Sequence, residues 1–174
     1  FRLVDSAASW EFMGQPGMYA YVEIDQYDRI YSGSMHVSED NGENWTDLGI
    51  SFIENTNALL INSQNEIFFT HWGGIKNTSD FGQNWNQSLL LDNNEAVTSN
   101  VKNSTGLLFA GSKEYLSNGG RIFFSEDNGI TWETRGLQYE FISTMAVNSN
   151  DEVFAASRGH TTLVRGALFR SSDN

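Results

Sequence analysis

Four residues stand out as able to contact a ligand: Trp72, Tyr115, Arg158 and His160. They sit in His71-Trp72-Gly73-Gly74, Lys113-Glu114-Tyr115-Leu116 and Arg158-Gly159-His160. An exposed ring beside Gly and polar groups can stack on a sugar face or anchor a protein partner. The competing role for Trp72 is packing on a neighbouring structural unit. All three histidines, His36, His71 and His160, fall in segments of this kind. A shared metal site would need them to converge from three different units, so they are read as surface histidines, with no metal and no cofactor expected. Cleavage of a glycosidic bond would need two carboxylates flanking it. Glu114 lies beside Tyr115, but no such pair can be assigned, so no catalytic residue is expected in this chain.

These segments recur because the chain is a repeat. Ser38-Glu39-Asp40-Asn41-Gly42-Glu43-Asn44-Trp45 returns as Thr78-Ser79-Asp80-Phe81-Gly82-Gln83-Asn84-Trp85 and as Ser125-Glu126-Asp127-Asn128-Gly129-Ile130-Thr131-Trp132. The shared box is S/T-x-D-x-G-x-N/T-W. Asp5 and Trp10 keep the Asp-to-Trp spacing without the glycine, and Ser171-Ser172-Asp173-Asn174 matches the first half of a further copy. Between boxes, two apolar stretches flank an Asn-rich turn: Ala58-Leu59-Leu60-Ile61 and Ile67-Phe68-Phe69-Thr70, Val97 to Val101 and Leu107 to Gly111, Ile142 to Val147 and Glu152 to Ala156. A third strand over Ala167 to Ser171 completes the last pattern. No stretch holds a helical period. Four short strands every 40 to 47 residues or so are the signature of a propeller blade. The expected fold is therefore all-β, a β-propeller built of four-stranded antiparallel blades, about four of them covered, with the box hairpins between third and fourth strands. The repeat units run approximately 10–45, 46–85, 86–132 and 133–174 within a single domain or propeller segment. The strand at Trp10 to Phe12 either pairs beside Ala167 to Ser171 and closes a four-bladed ring, or belongs to an excerpt of a larger propeller, the reading favoured here.

In the box, Gly supplies a positive φ at the turn and the Asp carboxylate accepts backbone N–H bonds, while the Trp after the turn can cover a blade junction. Asp40, Gly42, Trp45, Asp80, Gly82, Trp85, Asp127, Gly129 and Trp132 are accordingly read as structural. Asp40-Asn41-Gly42 shares a little with a calcium loop, but the spaced acidic ligands and the distal Glu are missing.

The box resembles the Asp-box, or bacterial neuraminidase repeat, of sialidases, xyloglucan-cleaving two-propeller glycosidases, sortilin-type receptors and a photosystem assembly factor. The chain is also similar to repeat propellers of secreted and surface bacterial proteins. The resemblance covers nearly the whole chain and implies a propeller, a secreted or cell-surface bacterial location, and boxes remote from any ligand site. It implies no single activity. The sialidase three-arginine arrangement cannot be drawn from the arginines at 2, 29, 121, 135, 158, 165 and 170, and Phe1-Arg2-Leu3-Val4 lacks the proline of the sialidase F-R-I-P motif. The leading expectation is a non-catalytic scaffold that binds a protein or glycan, and the alternative is a segment of a sialidase- or xyloglucanase-like glycoside hydrolase.

Composition narrows the partners. With 22 Asp+Glu against 10 Lys+Arg and a net charge of −12, the chain lacks the cations that neutralise phosphates, which argues against nucleic acid and against an assembly factor working through a basic patch. No apolar run approaches the roughly 18 residues that suggest a membrane-spanning helix, so no membrane insertion is expected. With no cysteine, the chain has no disulfide framework. Asn44, Asn77, Asn86 and Asn103 match N-x-S/T, but in a chain this rich in Asn, Ser and Thr they do not indicate glycosylation. The expected partner is an unidentified protein or glycan ligand, with further blades in a parent chain or an oligomer as the structural partner.

Overall fold

The computed structural model describes residues 2–3, 10–13, 21–32, 35–50, 58–92, 94–116, 119–138, 140–159 and 166–171. His160, Asp5 and Asp173 lie outside them. The chain forms two compact units, residues 1–52 and 53–174. The first holds β1 (Arg2–Leu3), β2 (Trp10–Glu11), β3 (Val22–Ile24), β4 (Ile30–Ser32), β5 (His36–Ser38) and β6 (Thr46–Asp47). The second holds β7 (Leu59–Ile61), β8 (Ile67–His71), β9 (Gly74–Thr78), β10 (Asn86–Leu90), β11 (Glu95–Lys102), β12 (Leu108–Glu114), β13 (Ile122–Ser125), β14 (Glu133–Thr134), β15 (Ile142–Val147), β16 (Val153–Ser157) and β17 (Leu168–Ser171). Strand β2 pairs with β1, Leu3 opposite Trp10.

The remaining strands form antiparallel meanders in chain order: β3 to β6, β7 to β10, β11 to β14, and β15 to β17. This is the blade pattern expected from the repeat, and each complete box turn joins a third strand to a fourth. The indole-bearing residue sits just before the fourth strand rather than on it, because pairing resumes only at Thr46, Asn86 and Glu133. Strand β8 is buried along its whole length, which is why it reads as a continuous apolar run instead of an alternating one.

The first hairpin of every blade carries one device. An Asx side chain closes the turn: Asn62 Oδ1 accepts from the Gln64 and Glu66 N–H groups at 3.0 and 2.9 Å, and Asn103 Oδ1 from Thr105 and Leu107 at 3.1 and 2.9 Å. Asn148 does the same for Asn150 and Glu152, and Asp25 for Tyr27 and Arg29. These bonds satisfy backbone donors that a two-stranded turn leaves without ladder partners.

In the second unit, the first strands of the last two blades pack on the blade before them: β11 against β7, β8 and β9, and β15 against β11 and β12. One buried cluster, including Leu60, Phe68, Ile75, Leu108, Ala110 and Phe123, fills the first of these junctions, with Trp132 packed against it. A second, built on Phe109, Ile142, Met145, Val153 and Ala155, fills the next.

All three box turns have one geometry. Asp40 Oδ1 accepts from Ser38 Oγ and the Asn44 N–H, each at 2.8 Å, and Oδ2 from Asn44 Nδ2 at 2.7 Å, while Ser38 Oγ accepts from the Gly42 N–H at 2.7 Å. Thr78, Asp80, Gly82 and Asn84 repeat it. Ser125, Asp127, Gly129 and Thr131 repeat it again, with a threonine hydroxyl replacing the amide. The turn residues Asn41, Phe81 and Asn128 have φ of 59°, 56° and 57°, and each is followed by the positive-φ glycine. A left-handed Phe is strained where Asn is tolerated. Phe81→Asn is therefore expected to stabilise the protein by about 0.5–1 kcal/mol, read as a higher midpoint in urea unfolding.

The same hydrogen bonds hold the carboxyls down. The Asn44 N–H, the Asn44 amide and the Ser38 hydroxyl bring Asp40 to about 2, and the Thr131 hydroxyl and N–H with Ser125 bring Asp127 to about 2. Asn84 and Thr78 lower Asp80 in the same direction. An unfolded Asp titrates near ~3.9, so the folded state favours the ionised form, and this stabilisation is present above about pH 4 and lost as pH falls toward about 2. Thermal unfolding from pH 5 to pH 2 should show the melting temperature falling across that window. The fall should be shallower in Asp127→Asn; an equally steep fall would contradict the assignment.

Candidate functional site

The connection after β8 and the connection after β12 meet. Trp72 and Tyr115 stack with ring centroids 4.5 Å apart and planes inclined by 19°. The Lys113 ammonium lies over the Tyr115 ring, 4.5 Å from its centroid, and 5.7 Å from that of Phe141. Trp72 remains 44% exposed and Tyr115 40%, so the pair is a solvent-facing aromatic platform spanning two blades. Lys113 lies near the end of β12 and Tyr115 directly follows the strand.

One short backbone segment positions both rings. Trp72 forms a bridge with Ala96, the Gly73 N–H donates to Glu95 O at 3.1 Å, and the Tyr115 N–H donates to Asn94 O at 2.9 Å. Residues 94–96 therefore tie the two connections together, and Glu95 anchors them. Its carboxylate, 3% exposed, takes a two-pronged ion pair from Arg121, Nε to Oε1 at 3.0 Å and Nη2 to Oε2 at 2.8 Å, and accepts from Ser112 Oγ at 2.5 Å. Both oxygens are occupied, so Glu95 serves to hold the platform in place.

Of the other sequence-predicted contacts, Arg158 has an exposed side chain, and its N–H donates to Phe141 O at 2.9 Å. Phe141, whose ring centroid lies 5.7 Å from the Lys113 ammonium, thus links the Arg158 backbone to the platform. His160 lies outside the described residues. Of the remaining histidines, His36 opens β5 in the first unit, and His71 closes β8 in the second, buried rather than at the surface as expected because β8 is covered along its length, with its Nε2 3.3 Å from Gln87 Nε2. Among the described residues, no group of three or more His, Cys, Asp or Glu side chains is placed to hold a metal ion.

The box tryptophans are engaged internally. Trp45 Nε1 donates to Met13 O and Gly42 O, both at 3.1 Å. Trp85 meets Phe69 edge-on at 5.1 Å, and Trp132 Nε1 donates to Ser88 Oγ at 2.9 Å. Sequence reasoning missed Lys113, Phe141 and the Glu95–Arg121 pair.

No family model matches the chain, and no curated protein matches it. Among solved structures, it is similar to an ancestral GH74 enzyme at 17% identity, over 91% of this chain and 24% of that one, with a TM-score of 0.68. It is similar to the GH74 xyloglucanase of Xanthomonas campestris at 12% identity, over 92% of this chain and 28% of that one, with a TM-score of 0.68. A third likeness is to the extracellular domain of a proposed one component system from B. thetaiotaomicron, at 13% identity, over 85% and 21% of the two chains, with a TM-score of 0.62. The chain spans about a quarter of the length of these structures. At such identities the likeness shows the fold: the protein is all-β, made of β-propeller blades.

Proposed function

We propose that this chain is an Asp-box propeller segment, secreted or displayed on a bacterial surface, that acts as a non-catalytic scaffold and binds its ligand on the Trp72–Tyr115 platform. On this reading residues 1–174 belong to one propeller domain with repeat units near 10–45, 46–85, 86–132 and 133–174. The nine box residues are structural, and Trp72 and Tyr115 are the primary contacts, with Arg158 and His160 contributing at the margin. The observation that carries the proposal is the stacked, solvent-facing pair, held by backbone bonds rather than buried as a core contact. The Tyr115 ring is faced by Trp72 and by the Lys113 ammonium, so the Trp72 ring is the one that can lie against the flat apolar face of a sugar, with Tyr115 backing it, which favours a glycan over a protein ligand. The three repeated turns support the Asp-box assignment, and the extracellular and glycoside hydrolase neighbours support export.

Calorimetric titration of residues 1–174 with xyloglucan oligosaccharides, alongside assay of released reducing ends, tests this reading. Binding without cleavage is expected, weakened about tenfold or more by Trp72→Ala with the melting temperature little changed. Binding that is indifferent to Trp72→Ala and Tyr115→Ala would remove the platform assignment. The second reading, a glycoside hydrolase segment, is favoured by the GH74 likenesses, and release of reducing ends by this chain would establish it.

A further inference from the structure

Two of the three complete box turns carry Asn-Gly, at Asn41-Gly42 and Asn128-Gly129, where the other carries Phe81-Gly82. The left-handed φ of 59° and 57° favours asparagine at these places, and the glycines follow at 88° and 84°. The same pair is chemically labile, because asparagine amides are thermolabile and a glycine nitrogen is unshielded on a freely turning peptide unit. In the reaction, the glycine nitrogen loses its proton and attacks Asn Cγ. The new N–C bond closes a cyclic imide, the Cγ–Nδ2 bond breaks, and ammonia leaves. Water then opens the ring to aspartate or to isoaspartate, which lengthens the backbone of the turn.

We propose that Asn41 and Asn128 are latent deamidation sites, each kept closed by the serine that opens its box. Ser38 and Ser125 are both 1% exposed, and each donates its hydroxyl proton to the box aspartate at 2.8 Å. That orientation turns an oxygen lone pair to the glycine, whose N–H the serine accepts at 2.7 Å in the first box and 2.8 Å in the last. The nitrogen cannot swing toward Asn Cγ without breaking this bond in a site closed to water. Gly129 is held a second time, by Phe68: a Cβ on it would lie 2.4 Å from Cε1 of that ring. The serine therefore has a chemical role beside its conformational one. Isoaspartate at position 128 would pull apart the closure of Asp127 on Thr131. Phe81 is strained, but it cannot undergo this reaction.

The test incubates residues 1–174 at mildly alkaline pH, native and unfolded in urea, and follows deamidation by mass spectrometry of tryptic peptides. Asn128 falls in the peptide of residues 122–135, Asn41 in that of residues 30–76, and Asn118-Gly119 in that of residues 114–121. Both box asparagines are expected to react far more slowly in the native chain than in urea. Ser125→Ala should speed native deamidation of Asn128 about fivefold or more and leave Asn41 unchanged, because the lost hydrogen bond eases only local opening. Ser125→Thr should restore the slow rate, as Thr78 Oγ1 accepts the Gly82 N–H at 3.0 Å. Equal rates for native and unfolded chain, an Asn128 rate indifferent to Ser125→Ala, or a rise shared equally by Asn41 would each overturn the proposal.

Discussion

Arg121→Ala is expected to destabilise the protein by about 3–5 kcal/mol, because it strands the Glu95 carboxylate, 3% exposed, without its ion-pair partner. The reverse change should cost less. In Glu95→Ala, the Arg121 guanidinium, whose side chain is 40% exposed, regains water, and the buried position loses only a polar group. That asymmetry separates a buried carboxylate anchor from a surface ion pair, whose two halves would each be worth about 1 kcal/mol or less. The change should also reach the ligand. Glu95 O receives the Gly73 N–H, and the neighbouring Asn94 O receives the Tyr115 N–H, so loosening this segment lets the two rings separate and raises Kd even where the protein stays folded. Urea unfolding of both variants checks the first statement, and titration under folding conditions checks the second. Equal costs for the two single changes would contradict the account.

Gly129→Ala should cost about 2–4 kcal/mol, combining a left-handed φ of +84° with steric overlap at a blade junction. A Cβ there would lie 2.4 Å from Phe68 Cε1, and Phe68 is fully buried, so the ring has no room to yield. Gly106→Ala isolates the conformational part: its φ is +92°, and a Cβ would meet nothing within 4 Å. It should cost about 1–2 kcal/mol. At about 2–4 °C per kcal/mol for a chain of this length, the two variants are resolvable by thermal unfolding. If they prove equal, the box glycine serves its turn alone, and the junction contact carries no weight.

The box turns were legible because their chemistry is local: an Asp accepting from the N–H four residues on, a glycine with positive φ, and an indole at a set distance all lie within eight consecutive positions. The Asn-rich first hairpins were legible as turns for the same reason, though which residue closes each one, Asn62, Asn103 or Asn148, emerges only from the oxygen that accepts the two N–H groups. Long-range relations were not legible. Glu95 and Arg121 are separated by 26 residues and two strands, and nothing in a lone Glu ahead of an apolar run distinguishes a buried anchor from a solvated edge. Trp72 and Tyr115 could each be singled out as a ring in a Gly or polar connection. Their stacking depends on the offset between two blades, which Ala96, Glu95 and Asn94 set through backbone bonds that any residue types could make.

The tryptophans fall into two groups: Trp45 and Trp132 bond their indole N–H groups internally, and Trp72 is solvent-facing and is the proposed ligand contact. A ¹H–¹⁵N spectrum of the indole N–H region, recorded on the full chain while xyloglucan oligosaccharides are added, tests that division most directly. The account predicts that the Trp72 resonance moves with the titration while those of Trp45 and Trp132 stay in place and exchange slowly with D₂O. A shift confined to the box tryptophans, with Trp72 unmoved, would contradict it.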